Sequence, residues 1–128
     1  MIGIDTNILV RFIVKDDENQ TKIAQDLLRK YVFKTESIYI NDITLCELIW
    51  VLKSGYGYEK IKILTLFKKI CEAKELKFAN RNLILKAVEI FEKNSADFAD
   101  CLVFASNENA GCIDTYSFDR KANFFSQI

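Results

Sequence analysis

The 128 residues suit one domain, expected over 1–128, whose folding buries roughly two-thirds of the extended chain's surface. Half of them are hydrophobic and 28% are charged, which excludes wholesale disorder, while 18 basic residues against 18 acidic ones exclude a generic, strongly basic polyanion binder. Histidine is absent, so a Ser-His-Asp triad, a Cys-His pair, a His-ligated zinc and histidine acid–base cleavage of RNA are all excluded.

In chain order, Met1 to Ile4 reads as a short buried strand, and Thr6 to about Lys15 as a helix. A second helix runs from about Glu18 to Tyr31, with Ile23, Leu27, Leu28 and Tyr31 on its core face. Ile38 to Ile40 is a strand, and Thr44 to Lys53 a nearly all-apolar helix stopped by Gly55. Tyr58 to Ala73 is helical, with Ile61, Leu64, Phe67, Lys68 and Cys71 at helical spacing; Ile61, Leu64 and Phe67 are expected inward, with an interface as the other reading of any left exposed. Leu76 to Phe78 follows as a strand and Asn82 to Lys93 as a helix with Ile84, Val88 and Phe91, and Leu85 beside them, facing the core. Phe98 to Asn109 is an apolar helix, Cys112-Ile113 a strand, and a last short helix is expected near Arg120.

Short strands alternating with helices predict an α/β domain built on a parallel sheet. Ligands in such folds bind beyond the carboxyl ends of the strands. No apolar run approaches the ~20 residues of a bilayer span, and no signal-like segment opens the chain, so no membrane association and a cytoplasmic location are expected. The four cysteines, Cys46, Cys71, Cys101 and Cys112, form no C-x-x-C pair and are expected as buried free thiols, with a structural zinc site as the lesser reading.

Four acids stand alone in apolar or uncharged stretches: Asp5 after Met1-Ile2-Gly3-Ile4, Glu47 within Ile43 to Leu52, Asp100 within Phe98 to Ala105, and Asp119 after Thr115-Tyr116-Ser117-Phe118. Each has a local explanation. Asp5 and Asp119 are good N-caps, Thr44-x-x-Glu47 fits a capping box, and Asp97-x-x-Asp100 resembles one. Together they favour a shared pocket at one sheet edge. Two carboxylates about 4 Å apart repel by roughly 4 kcal/mol at an effective dielectric near 20, so a cluster requires protons or a cation. Mg²⁺ or Mn²⁺ suits oxygen donors, and phosphoryl chemistry suits the ion. Asp97 is open to two roles, helix cap or fifth pocket acid, and Asp114 is a sixth acid without a clear aim. Thr6, Asn7 and Ser117 lie beside the key acids, either to orient them and their waters or as ordinary turn residues. Local positive charge for a nucleic acid could come from Arg11, Lys15 and Lys53, with Arg11 the candidate for phosphate.

Ile4-Asp5-Thr6-Asn7-Ile8-Leu9, Thr44-Leu45-Cys46-Glu47-Leu48, Asp97-Phe98-Ala99-Asp100-Cys101 and Thr115-Tyr116-Ser117-Phe118-Asp119-Arg120 resemble, in order, the four motifs of PIN-domain ribonucleases. Cys101 stands where that family often has alanine, and Ser117 where it often has threonine; neither change removes a carboxylate. The resemblance implies a four-to-five-stranded parallel sheet flanked by helices and Mg²⁺- or Mn²⁺-dependent hydrolysis of RNA, with Asp5, Glu47, Asp100 and Asp119 as metal-holding catalytic acids. The chain length and Asp-Phe-Ala-Asp motif look most like VapC-type toxins, which implies a small antitoxin partner, a homodimer and a structured RNA target. Two other readings are open. One is a catalytically silent PIN-like module that binds RNA or antitoxin. The other is a phosphate-handling receiver or phosphatase, which needs a lysine at a late strand end; Lys121 lies beyond Asp119 instead.

Overall fold

Four helices of this protein open in the same way, on a side-chain oxygen that accepts a hydrogen bond from a main-chain N–H two or three residues ahead. Asp5 Oδ1 accepts from Asn7 (2.9 Å), Asp17 Oδ1 from Gln20 (2.9 Å), Asn41 Oδ1 from Thr44 (2.8 Å) and Asn80 Oδ1 from Leu83 (3.1 Å). They begin α1 (Thr6–Val14), α2 (Glu18–Phe33), α3 (Asp42–Trp50) and α5 (Arg81–Lys93). Each such cap typically contributes ~1 kcal/mol by satisfying one orphan donor. Helices α4 (Lys60–Glu72) and α6 (Phe98–Asn109) start without one. The computed structural model describes residues 1–35 and 37–128, and they divide into two compact units, Met1–Ala79 and Asn80–Ile128.

In the first unit, β1 (Ile2–Gly3), β2 (Ile38–Tyr39) and β3 (Leu76–Lys77) form a parallel sheet in that order. Ile2 stands opposite Ile38, and Ile38 opposite Leu76. Parallel neighbours need crossover connections, which α1 with α2, and α3 with α4, supply. Leu9, Val10, Ile38, Ile40, Leu45, Leu48, Leu52, Ile63 and Phe67 are buried in this unit.

Three local expectations are corrected there. The helix carrying Glu47 starts two residues earlier than expected, on Asn41 rather than on a Thr44–Glu47 capping box. It does not run as α-helix to Lys53 but widens into a π-turn over Val51–Gly55. The chain then leaves it at Gly57, whose φ of +65° is left-handed and costs glycine nothing. Ile23 and Ile61, expected inward, are exposed, while Ala24, Ile63 and Ile70 take core positions.

In the second unit α5 and α6 pack along their apolar faces, Ile84, Ala87, Val88 and Phe91 on one and Phe98, Cys101, Leu102 and Ala105 on the other. Phe91 and Phe98 meet edge to face with ring centroids 5.8 Å apart. Leu85, expected inward, is exposed, because the helical period gives the core face to Ile84, Ala87, Val88 and Phe91. The expected strand at Cys112-Ile113 is absent, and Ile113 is 98% exposed. Strand β4 (Tyr116–Ser117) forms instead and pairs in parallel with β5 (Ser126–Gln127), Tyr116 opposite Ser126. No helix follows Arg120; the segment turns so that Ala122 and Phe125 are buried. The described strands thus number five, as three and two, rather than one continuous sheet. All four cysteines are free thiols, but only Cys71 and Cys101 are buried as expected; Cys46 is half-buried, and Cys112, past the end of α6 and outside any strand, is exposed. No described helix is long and apolar enough to cross a membrane.

Candidate functional site

In the first unit, Asp5 follows β1 directly and caps α1 through Asn7. The extended backbone at Asp5 (φ −98°, ψ 178°) is what an N-cap requires. Thr6 beneath it is buried, and Asn7 is exposed. Glu47 lies in the second turn of α3, not in its first, and α3 packs against α1. The same helix contributes an acid that reading the sequence missed. Asp42 Oδ1 is buried with no hydrogen-bond partner among the described residues. An orphaned carboxylate oxygen is costly to bury and calls for a proton, a water or a cation. Its signal was hidden because Asn41-Asp42 reads as a turn pair. The Cys46 thiol beside these acids is pushed up to about 11 by burial, then by the charges of Asp42 and Glu47.

In the second unit, Asp97 occupies the N-cap position of α6 but its side chain caps nothing. Asp100, one turn in, is half-buried. Its carboxyl is raised above the ordinary aspartate range by burial first, then by the charges of Asp119 and Asp97. Asp119 is held by a short relay: its N–H donates to Ser117 Oγ (2.9 Å), its Oδ1 accepts from the Lys121 N–H (2.9 Å), and its carbonyl accepts from Gln127 Nε2 (3.1 Å). Ser117 therefore serves as the brace of the Asp119 turn. Asp114 accepts from the Ser126 hydroxyl (2.8 Å) and ties the ends of β4 and β5 together, a fastening role.

The acids are less buried than their apolar neighbours imply. Asp5, Glu47, Asp97 and Asp119 are exposed, and only Asp100 is half-buried. In α3 the helical period turns Leu45, Leu48 and Ile49 inward and leaves Ile43, Glu47 and Trp50 on the outer face. None of the five has an ion-pair partner among the described residues. Within either unit, no three described carboxylates or thiols gather tightly enough to cage a metal on their own. Mg²⁺ does not need such a cage, since it usually keeps several waters and takes one or two carboxylates. The all-oxygen donor set, the orphaned Asp42 oxygen and the mutual repulsion at Asp100 fit that ion.

Arg11 is already engaged within the fold. Its Nε donates to Gln20 (2.6 Å) and its Nη1 to Asp16 (2.9 Å) and to the Tyr56 hydroxyl (3.3 Å), while Tyr56 donates to Asp16 (2.9 Å). This network joins α1, the start of α2 and the residue after the π-turn. The Asp16 carboxyl is held below its usual range, chiefly by the Tyr56 hydroxyl, then by a backbone hydrogen bond and by Arg11, against the opposing effect of burial. A depressed carboxylate contributes stability above its unfolded value, about 4, and that stability is lost as pH falls through the folded value. Tyr56→Phe is therefore expected to flatten the loss of urea midpoint between pH 5 and 3 that Asp16 contributes. An unchanged acid slope would remove Tyr56 from that role.

A PIN domain family model matches residues 2–127. The chain is also similar to a VapC ribonuclease of Aquifex aeolicus (strain VF5), 24% identical over 118 residues that cover 92% of this chain and 87% of that protein. The family match takes in both units, the parallel strands and all four acid-bearing segments. The chain belongs to the PIN-domain family.

Proposed function

We propose that this protein is a Mg²⁺- or Mn²⁺-dependent endoribonuclease, the VapC-type toxin of a toxin–antitoxin pair. The observation that carries the reading is Asp100, a half-buried carboxyl in the field of Asp119 and Asp97 with no ion-pair partner among the described residues. Such a group is poised to bind a cation. The similarity to a protein named VapC ribonuclease supports RNA as the substrate and a small antitoxin as the partner. A homodimer is part of the same proposal.

Asp5 and Glu47 of the first unit, and Asp100 and Asp119 of the second, are the acids proposed to hold one or two ions, Asp119 directly or through water. Bound there, the cation would offset charge at the scissile phosphate and acidify the attacking water. The protein's own part is positioning. The N-terminus of α1 at Asp5 favours that carboxylate in its ionised form and would equally favour a phosphate oxygen. The Ser117–Asp119–Lys121 turn uses Asp119 Oδ1 and leaves Oδ2 uncommitted. Arg11 is the proposed contact to the RNA backbone, with Nε and Nη1 fixed in advance by Gln20, Asp16 and Tyr56. No residue supplies a histidine base, and no covalent intermediate is invoked.

The test is incubation of purified, antitoxin-free protein with total bacterial RNA in Mg²⁺, in Mn²⁺ and in EDTA. Discrete fragments in either metal and none in EDTA are expected. Folded protein that is stabilised by metal yet leaves all RNA intact would instead favour a silent binding module.

A further inference from the structure

The second unit has an aromatic cluster of its own, with Phe104, Phe124 and Phe125 packed at centroid distances of 4.8 to 6.2 Å. Two further rings stay out of it. Tyr116 is 65% exposed and Phe118 82% exposed, and the half-buried Ser117 between them turns to brace Asp119. Tyr116 lies in β4 and Phe118 in the bend that follows it, so both rings are presented from the one short segment that carries Asp119. Two large exposed rings within three residues are more than one stray apolar side chain, and exposed apolar surface of this kind marks interaction sites.

The residues that follow indicate the occupant. Asp119 comes next, then Arg120 and Lys121, both exposed and without a carboxylate partner among the described residues. Two rings, a carboxylate and two cations therefore succeed one another along six residues. A protein helix or a second copy of this chain would match the rings but has no evident use for two unpaired cations directly after an acid. A polyanion with accessible π faces uses all of them. Stacking is open to unpaired bases and closed to bases already stacked inside a duplex.

We propose that Tyr116 and Phe118 form a platform on which unpaired bases of the RNA stack beside the scissile phosphate, while Arg120 and Lys121 meet the backbone phosphates. This rests on the nuclease reading of Asp119. It adds to that reading a mode of selection by stacking, tolerant of base identity, rather than by hydrogen bonds to base edges.

The experiment measures fluorescence anisotropy of a short labelled oligoribonucleotide, alone and hybridised to its complement, in Mg²⁺. Asp100→Asn serves as the ring-bearing parent, so that the probe is not cut. In that parent, Tyr116→Ala with Phe118→Ala is expected to weaken single-strand binding by roughly tenfold or more per ring, as stacked bases do in other single-strand binders. Tyr116→Phe with Phe118→Tyr is expected to restore it, and the duplex should bind weakly throughout. Arg120→Ala with Lys121→Ala should lower the salt slope by about two. Undiminished binding by the alanine pair overturns the platform, and so does equal binding of the duplex. A change in sedimentation with no change in RNA affinity overturns it in favour of a self-interface. Metal-dependent cleavage by wild-type protein, measured alongside, separates the outcomes: cleavage with intact alanine-pair binding removes only the platform, whereas neither cleavage nor binding removes both.

Discussion

Asp100→Asn is expected to lower RNA cleavage by roughly a thousandfold while the metal-free protein melts at or above the wild-type temperature. The rate loss follows from the role proposed for the carboxylate. A bound cation supplies several kcal/mol of charge stabilisation in phosphoryl chemistry, and ~4 kcal/mol is about a thousandfold in rate. The stability gain follows from the sign of the pKa shift. The Asp100 carboxyl is raised by burial, then by Asp119 and Asp97, so the fold holds its proton more tightly than the unfolded chain does. Stability therefore falls as pH rises from the ordinary aspartate value through the folded one, and the penalty is fully present at neutral pH. Asparagine keeps the shape and removes the charge. Mg²⁺ should then raise the melting temperature of wild type but not of the variant, because a ligand at a hundred times its Kd adds ~2.7 kcal/mol to the folded state. Wild-type cleavage by a folded variant would end the assignment.

The same helix shows how far the sequence carries. The Phe98–Asn109 span of α6 was legible because apolar residues recur there at helical spacing. The first turns of α1 and α5 were nearly as clear, since an Asp or Asn at the cap is a local signal. The order of the acid motifs was also legible, and it leads to the family that the match over residues 2–127 bears out. Burial was not legible. A lone acid among apolar letters reads as buried, yet in α3 the period alone turns Glu47 outward with Ile43 and Trp50. The C-terminal strands were beyond local reading for a different reason. Ile113 has the stronger β propensity, but pairing falls to Tyr116-Ser117 because Ser126-Gln127, a polar pair ten residues on, accepts it. Strand register is a non-local property. The π-turn at Val51–Gly55 and the orphaned Asp42 oxygen likewise depend on packing that no short window contains.

Phe98→Ala is expected to cost ~3–5 kcal/mol, the range for deleting a buried aromatic ring. Phe98 is only 2% exposed and meets Phe91 edge to face, so the substitution opens a cavity and also removes a ring pair worth ~1 kcal/mol. Domains of this kind are stable by about 5–15 kcal/mol in all, so the loss is a large share of the total. Phe98 is also the first residue of α6, between Asp97 and Asp100. Its removal is therefore expected to loosen the turn that places Asp100, so activity should fall even below the denaturant range where the protein unfolds. The measurement is a urea titration, read as a lower midpoint with an unchanged slope, beside cleavage in Mg²⁺. Phe118→Ala is the control. That ring is 82% exposed, and its removal should change stability by no more than about 0.5 kcal/mol. Two phenylalanines twenty residues apart in one unit thus separate packing from recognition. Equal stability losses at both would contradict the burial assigned to Phe98, whereas a loss at Phe98 alone ties the α5–α6 core to the placement of Asp100.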